Sequence, residues 1–277
     1  MTELVEIRVD EGVADVRLNR PEKYNALSPE MFSAIIEAGE SLAQRGDVRA
    51  VVLSGNGPGF CSGLDFASFQ GMSDGGSAAS ATGGKASSDS ALARDSDLPD
   101  NRAQRPAFVW RRMPVPVIAA MHGVAYGGGL QVALGADIRI AAPDARLSVM
   151  EIKWGLVPDM GLTQTVRDLV RLDVIKELTF SGRIISGEEA CQLGLVTRVS
   201  ADPLGDALNM AREIAGRSPD AIRAGKKLLD ESWHADPHTA LGLEASLQSA
   251  LIGSPNQVEA IRANFEKRAA NFVDPAA

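Results

Sequence analysis

The sequence predicts an α/β fold, and three observations carry that expectation. Residues 115–137 read as strand, turn and helix: Val115 to Ala120 is a short β-branched run among prolines, and Leu130-Gln131-Val132-Ala133-Leu134 has helical apolar spacing. The same alternation of strand-like and helix-like segments recurs along the chain. Glycine-rich loops follow two of the strands, at Gly55 to Asp65 and at Gly127-Gly128-Gly129.

Taken in order, Val5 to Val9 alternates apolar and polar, Gly12 turns the chain, and Val13 to Leu18 alternates again, which predicts a hairpin. Asn19 to Leu27 is a loop. Ser28-Pro29 supplies an N-cap and first-turn proline for a helix with Met31, Ile35, Ala38 and Leu42 on one side. Ala50 to Ser54 is a buried strand that runs into the first glycine-rich loop. Fifteen of the twenty residues from Gly71 to Ser90 are Gly, Ser or Ala, too small and polar to bury, so a mobile surface loop is expected over 71–105.

After the central stretch, strands are expected at Asp137 to Ala141 and Leu147 to Glu151, and a helix from Leu162 to Val170. The remainder is mostly helical, with N-terminal signals at Ser186, Ser218-Pro219 and Ser254. In the last helix Val258, Ile261, Phe265 and Phe272 share a face that simple packing explains.

Composition narrows the function classes. With 45% hydrophobic residues in 277, the chain can bury a substantial core, and a net charge of −8 argues against nonspecific nucleic-acid binding. Met113 to Ala136 lacks Asp, Glu, Lys and Arg, but its prolines, His122, Gln131 and five glycines make a poor membrane helix. Cys61 and Cys191 have no metal-ligand spacing, and the first residues are too acidic for a signal peptide, so a reducing, cytoplasmic setting is expected. His122, His234 and His238 lack the Glu-x-x partner of a zinc helix, and no metal is expected. The Gly55 to Asp65 loop ends neither as a phosphate loop nor as a nucleophile elbow.

The chemistry is expected where Gly127-Gly128-Gly129 open a helix. First-turn amides have no internal partners and carry the positive end of the dipole, so an oxyanion fits there. A plain flexible turn is the competing explanation.

Together, Asn19-Arg20-Pro21 to Asn25-Ala26-Leu27, Phe60 to Asp65, Pro116 to Gly129, and Phe265-Glu266-Lys267-Arg268 resemble the crotonase family of enoyl-CoA hydratases and isomerases. The resemblance implies a ββα spiral in two stacked sheets with flanking helices. It also implies a core over 1–200 and a C-terminal helical region over 201–277 that makes homotrimers or hexamers. It places an oxyanion hole on the backbone amides of Leu64 and Gly128, holding the thioester oxygen of an acyl-CoA. It assigns CoA contacts to Lys23, Ala26, Leu27, Gly63, Phe265 and Lys267. No cofactor is implied beyond the coenzyme A carried by the substrate, and no nucleic-acid or membrane partner.

Hydratases of this family use two glutamates, one in the helix after the glycines and one twenty positions later. Here Gln131 and Glu151 stand at those positions, and an amide orients a water or substrate but cannot act as general base. Asp159, eight positions beyond Glu151, gives a spacing similar to the acid–base pair of the dienoyl-CoA isomerases, whose third acid would fall at Gln131. A related dehalogenase uses an aspartate at the Asp159 position as nucleophile, but with an aromatic residue where this chain has Glu151. As an isolated residue, Asp159 reads as a helix N-cap before Leu162. Cys61 reads as a small buried residue, and Trp154 and Phe66 as acyl-pocket or core residues.

The expected function is therefore double-bond isomerisation of an enoyl- or dienoyl-CoA. Two alternatives stand beside it: hydration of a 2-enoyl-CoA with a single glutamate, and a non-catalytic scaffold that binds CoA or associates with RNA.

Overall fold

The computed structural model describes residues 3–66, 68, 70, 92 and 97–275. The expected hairpin is β1 (Val5–Asp10) and β2 (Val13–Leu18), antiparallel with Val5 opposite Leu18. Its two-residue turn has Glu11 and Gly12 at φ of 46° and 79°, the positive pair that a tight hairpin requires. The loop that follows holds a single 3₁₀ turn, Pro21–Lys23. In α1 (Pro29–Ala43) the Ser28 hydroxyl accepts from the Met31 amide, and the helix buries the expected Met31, Ile35, Ala38 and Leu42.

β3 (Ala50–Gly55) is buried throughout because it is covered on both faces. Val51 and Leu53 join one apolar cluster while Ala50 and Val52 join another, the period-two alternation of a strand between two layers. β4 (Val117–Met121) repeats this division, with Val117, Ala119 and Met121 on the first side and Ile118 and Ala120 on the second.

Beyond β4 the chain winds between two sheets. β4 lies in the first sheet, β5 (Val124–Tyr126) in the second, β6 (Ile138–Ala141) in the first and β7 (Arg146–Ser148) in the second. β8 (Ile185–Ser186) joins the second sheet and β9 (Arg198–Val199) the first. The six-stranded sheet has the order β1-β2-β3-β4-β6-β9, parallel except for the first hairpin, and the three-stranded sheet is β5-β7-β8. This is the expected spiral. Short helices fill its corners: α2 (Arg105–Arg111), α3 (Gly128–Leu134), α4 (Leu162–Thr165), α5 (Leu172–Ser181) and α6 (Gly187–Gln192). α7 (Pro203–Ala215) lays Ala207, Ala211 and Ala215 on the outer face of the six-stranded sheet, where small side chains allow close approach. α8 (Pro219–Ser232), α9 (Pro237–Leu251) and α10 (Pro255–Glu266) complete the chain, and the hydroxyls of Ser186, Ser218 and Ser254 accept the cap hydrogen bonds.

Three local expectations need correction. β7 stops at Ser148, and Glu151 instead opens a 3₁₀ helix, Glu151–Trp154, because the chain turns at Met150 to close over α3. The helix from Leu162 ends at Thr165, whose hydroxyl bonds the carbonyls of Gly161 and Leu162 and competes with the backbone ladder. α10 ends at Glu266 with Lys267 left-handed at φ of 53°, so Phe272 is not on it, and Val258, Ile261 and Phe265 are exposed rather than packed. Most of the loop expected over 71–105 lies outside the described residues. Its described end is anchored: Asp100 is buried and ion-paired with Arg105 and Arg112.

Candidate active site

Two chain segments about sixty residues apart are stitched together before they reach the site. Phe60 N donates to His122 O, Cys61 N to Val124 O, and Tyr126 N to Cys61 O, each at 3.0 Å. This parallel ribbon brings two glycines side by side just beyond its end: Gly63 at φ of 88° and Gly127 at φ of 50°. The approach is close enough that a Cβ on Gly63 would lie 2.6 Å from Tyr126 O and 3.6 Å from Gly128 N. A side chain at Gly63 would therefore part the two segments.

The amides that follow these glycines are open. Leu27 donates to Gly63 O at 2.8 Å and accepts from Asp65 N at 3.1 Å, so in this parallel bridge the N–H of Leu64 faces away from Leu27. Gly128 is the first residue of α3 and has no residue a turn earlier to bond. Among the described residues neither amide has a hydrogen-bond acceptor. Leu64 and Gly128 both line a cavity of about 470 Å³. The rest of its wall is mainly apolar, with Phe32, Phe66, Met150, Trp154, Val157 and Met160 contributing.

Glu151 and Asp159 also line this cavity. Gln131, itself buried in α3, links Glu151 to the backbone next to Asp159: its Nε2 donates to Glu151 Oε1 at 2.7 Å, and its Oε1 accepts from Met160 N at 2.9 Å. The other oxygen, Glu151 Oε2, is buried and has no hydrogen-bond partner among the described residues. Burial pushes the Glu151 carboxyl above the usual carboxylate range and nearby Asp159 adds to the rise, while the Gln131 hydrogen bond opposes it. Burial against the apolar wall also raises the Asp159 carboxyl. Asp159 is more open to solvent than Glu151, which weakens the effect there. The cap of α4 is Gly161, so Asp159 is not a helix cap.

Of the expected CoA contacts, Lys23, Ala26, Leu27 and Gly63 line the cavity. Phe265 and Lys267 do not: they stand at the far end of α10, with Phe265 85% exposed. Cys61 is fully buried, and burial pushes its thiol up to about 12. His122 bonds Gly57 O and His234 pairs with Asp168, both at 2.8 Å. Among the described residues no group of three or more His, Cys, Asp or Glu side chains is placed to hold a metal ion. Phe32, Met150, Val157 and Met160 were not singled out from the sequence, because an apolar residue on a cavity wall has the same local pattern as one in the core.

The spiral, the paired open amides and the buried glutamate define a crotonase-fold enzyme. The chain belongs to the enoyl-CoA hydratase/isomerase family, whose profile matches residues 8–275. It is 33% identical over 273 residues to a peroxisomal Delta(3,5)-Delta(2,4)-dienoyl-CoA isomerase of Arabidopsis thaliana, covering 98% of this chain and 96% of that protein. It is 31% identical over 264 residues to the human mitochondrial methylglutaconyl-CoA hydratase, covering 93% and 72% of the two chains. The crystal structure of an enoyl-CoA hydratase from Bacillus anthracis superposes with a TM-score of 0.84 at 28% identity, covering 97% of this chain and 98% of that one.

Proposed function

We propose that this enzyme isomerises the double bonds of a fatty enoyl- or dienoyl-CoA. In this reading the Leu64 and Gly128 amides hold the thioester oxygen, and Glu151 removes a proton from C2. The electron pair spreads onto that oxygen and along the conjugated chain. In a 3,5-dienoyl thioester, Asp159 returns a proton at C6, leaving the 2,4-diene. Removing one oxyanion donor typically costs ~10²–10³ in rate in other enzymes. Lys23, Ala26, Leu27 and Gly63 receive the CoA arm, and the reaction uses no cofactor beyond the CoA of the substrate. The unpaired Cys61 and Cys191 are in keeping with a reducing, cytoplasmic setting.

One observation carries the preference for isomerisation over hydration. Where a hydratase of this family has its second glutamate this chain has Gln131, an amide that is no general base and whose ends are engaged by Glu151 and Met160 N, so it is not placed to activate a water. A proton shift needs none.

The reading is tested with 3-enoyl-, 3,5-dienoyl- and crotonyl-CoA. Conversion of the dienoyl substrate is expected, with kcat falling ~10²–10⁴-fold in Glu151→Gln. An unchanged rate in that variant overturns the assignment. A single-glutamate hydratase is the second reading, supported by the free Glu151 Oε2, which is equally able to take a proton from water. Crotonyl-CoA hydration in the wild type, raised by Gln131→Glu, would favour it.

A further inference from the structure

We propose that Asn25 is a positioning residue for the oxyanion site. Its buried carboxamide holds the segment carrying the Leu64 amide in register with the segment carrying Gly128. The inference rests on the proposed function, because it concerns the same two amides.

Asn25 is fully buried and sits at φ of 55°, a left-handed conformation that Asn tolerates better than most residues. Its side chain serves four backbone groups at once. Nδ2 is shared among the carbonyls of Asn56 at 2.9 Å, Gly59 at 2.9 Å and Phe60 at 3.1 Å, and Oδ1 accepts from Arg20 N at 2.8 Å. Its own carbonyl accepts from Cys61 Sγ at 3.1 Å. The loop closes tightly around the amide: a Cβ on Gly55 would lie 2.7 Å from Nδ2.

The segment 56–61 is thus gripped from both sides. Asn25 holds the carbonyls of residues 56, 59 and 60, while the amides of Phe60 and Cys61 bond to His122 and Val124. The Leu64 amide lies three residues beyond Cys61, and that of Gly128 two residues beyond Tyr126, which donates to Cys61 O. Without the carboxamide, the buried carbonyls of Gly59 and Phe60 and the partly buried one of Asn56 lose this donor, and the ribbon is held on one side only. Asn25 does not line the cavity, whereas Lys23, Ala26 and Leu27 do, so it acts through the backbone and not on the substrate.

Loss of this grip should misplace the Leu64 amide and harm the transition state more than substrate binding. An error of about 1 Å in a reacting geometry costs ~10²-fold in rate. The test uses the full-length protein with Asn25→Ala and with Asn25→Asp. The aspartate keeps the shape but has no N–H to donate, and serves if the alanine variant does not fold. Both should melt cooperatively, keep KM within about threefold and lose ~10²-fold in kcat. Acetoacetyl-CoA supplies a spectroscopic readout: the near-ultraviolet absorption of its enolate should appear on binding to the wild type and vanish in the variants, while butyryl-CoA affinity is retained. If the wild type itself produces no enolate absorption, the proposed function falls and this inference with it. If the wild type produces it and the variants match it, the inference alone falls. It also falls if butyryl-CoA binding is lost in proportion to kcat, or if neither variant melts cooperatively, since Asn25 would then only stabilise the loop.

Discussion

Glu151 has two unlike oxygens. Oε1 is held by Gln131, and Oε2 is buried with no protein partner among the described residues, which suits an atom that must take up a proton. Its raised carboxyl has two consequences of opposite sign. As a base it must be ionised, so the acidic limb of the rate profile should lie above the ordinary carboxylate range, and Gln131→Glu should move it higher by adding a like charge. For stability, the folded protein keeps its proton where the unfolded chain has lost it. The stabilising contribution is complete below the usual carboxylate range and is lost as pH rises through the raised value. Glu151→Gln should therefore raise Tm at pH 8 more than at pH 4, measured by thermal denaturation. A larger gain at pH 4 would contradict the burial of this carboxyl.

At the scale of elements, the site depends on how closely α3 packs against the Cys61 ribbon. A Cβ on Gly129 would lie 2.4 Å from Cys61 O, a backbone atom that cannot turn aside. Gly129→Ala is expected to cost about 3 kcal/mol, at the upper end for overpacking, and to lower kcat by displacing the first turn of α3. Gly155→Ala is the control: nothing lies within 4 Å of its Cβ, so only the left-handed backbone at φ of 69° costs, about 1–2 kcal/mol. Equal melting temperatures for the two variants would sink the packing account. Much at this scale was legible in the sequence. Period-two alternation marked β1 and β2, continuous apolar runs marked β3 and β4, helical spacing marked α1, and Ser-Pro pairs marked the starts of α1 and α8. The ends of β7, α4 and α10 were not legible, because a turn over α3, a hydroxyl back-bond and a left-handed lysine decide them.

For the whole molecule, the C-terminal helices leave several large apolar side chains uncovered among the described residues. Phe265 is 85% and Trp233 68% exposed, and Leu241 and Ile252 are also open. Large apolar residues left in water on a folded chain gain by burial against another surface. The homotrimer or hexamer implied by the family resemblance would scatter light as three or six times the 29.2 kDa chain mass, and Phe265→Asp would then shift the population toward smaller species. A monomer at micromolar concentration would contradict this expectation.

The sequence by itself determined the strands β1 to β4, β6 and most of β7, the helices α1 and α3, the two glycine turns, and the residue types at Leu64, Gly128, Gln131, Glu151 and Asp159, but not the short strands β5, β8 and β9. These follow from local rules: side-chain periodicity, helix capping and the freedom of glycine at positive φ. Only the tertiary structure decided that the amides of Leu64 and Gly128 open into one cavity, that Gln131 joins Glu151 to Met160, and that Phe265 and Lys267 stand away from that cavity. Such contacts join residues far apart in the chain. They depend on the distance between packed segments, which no local pattern encodes.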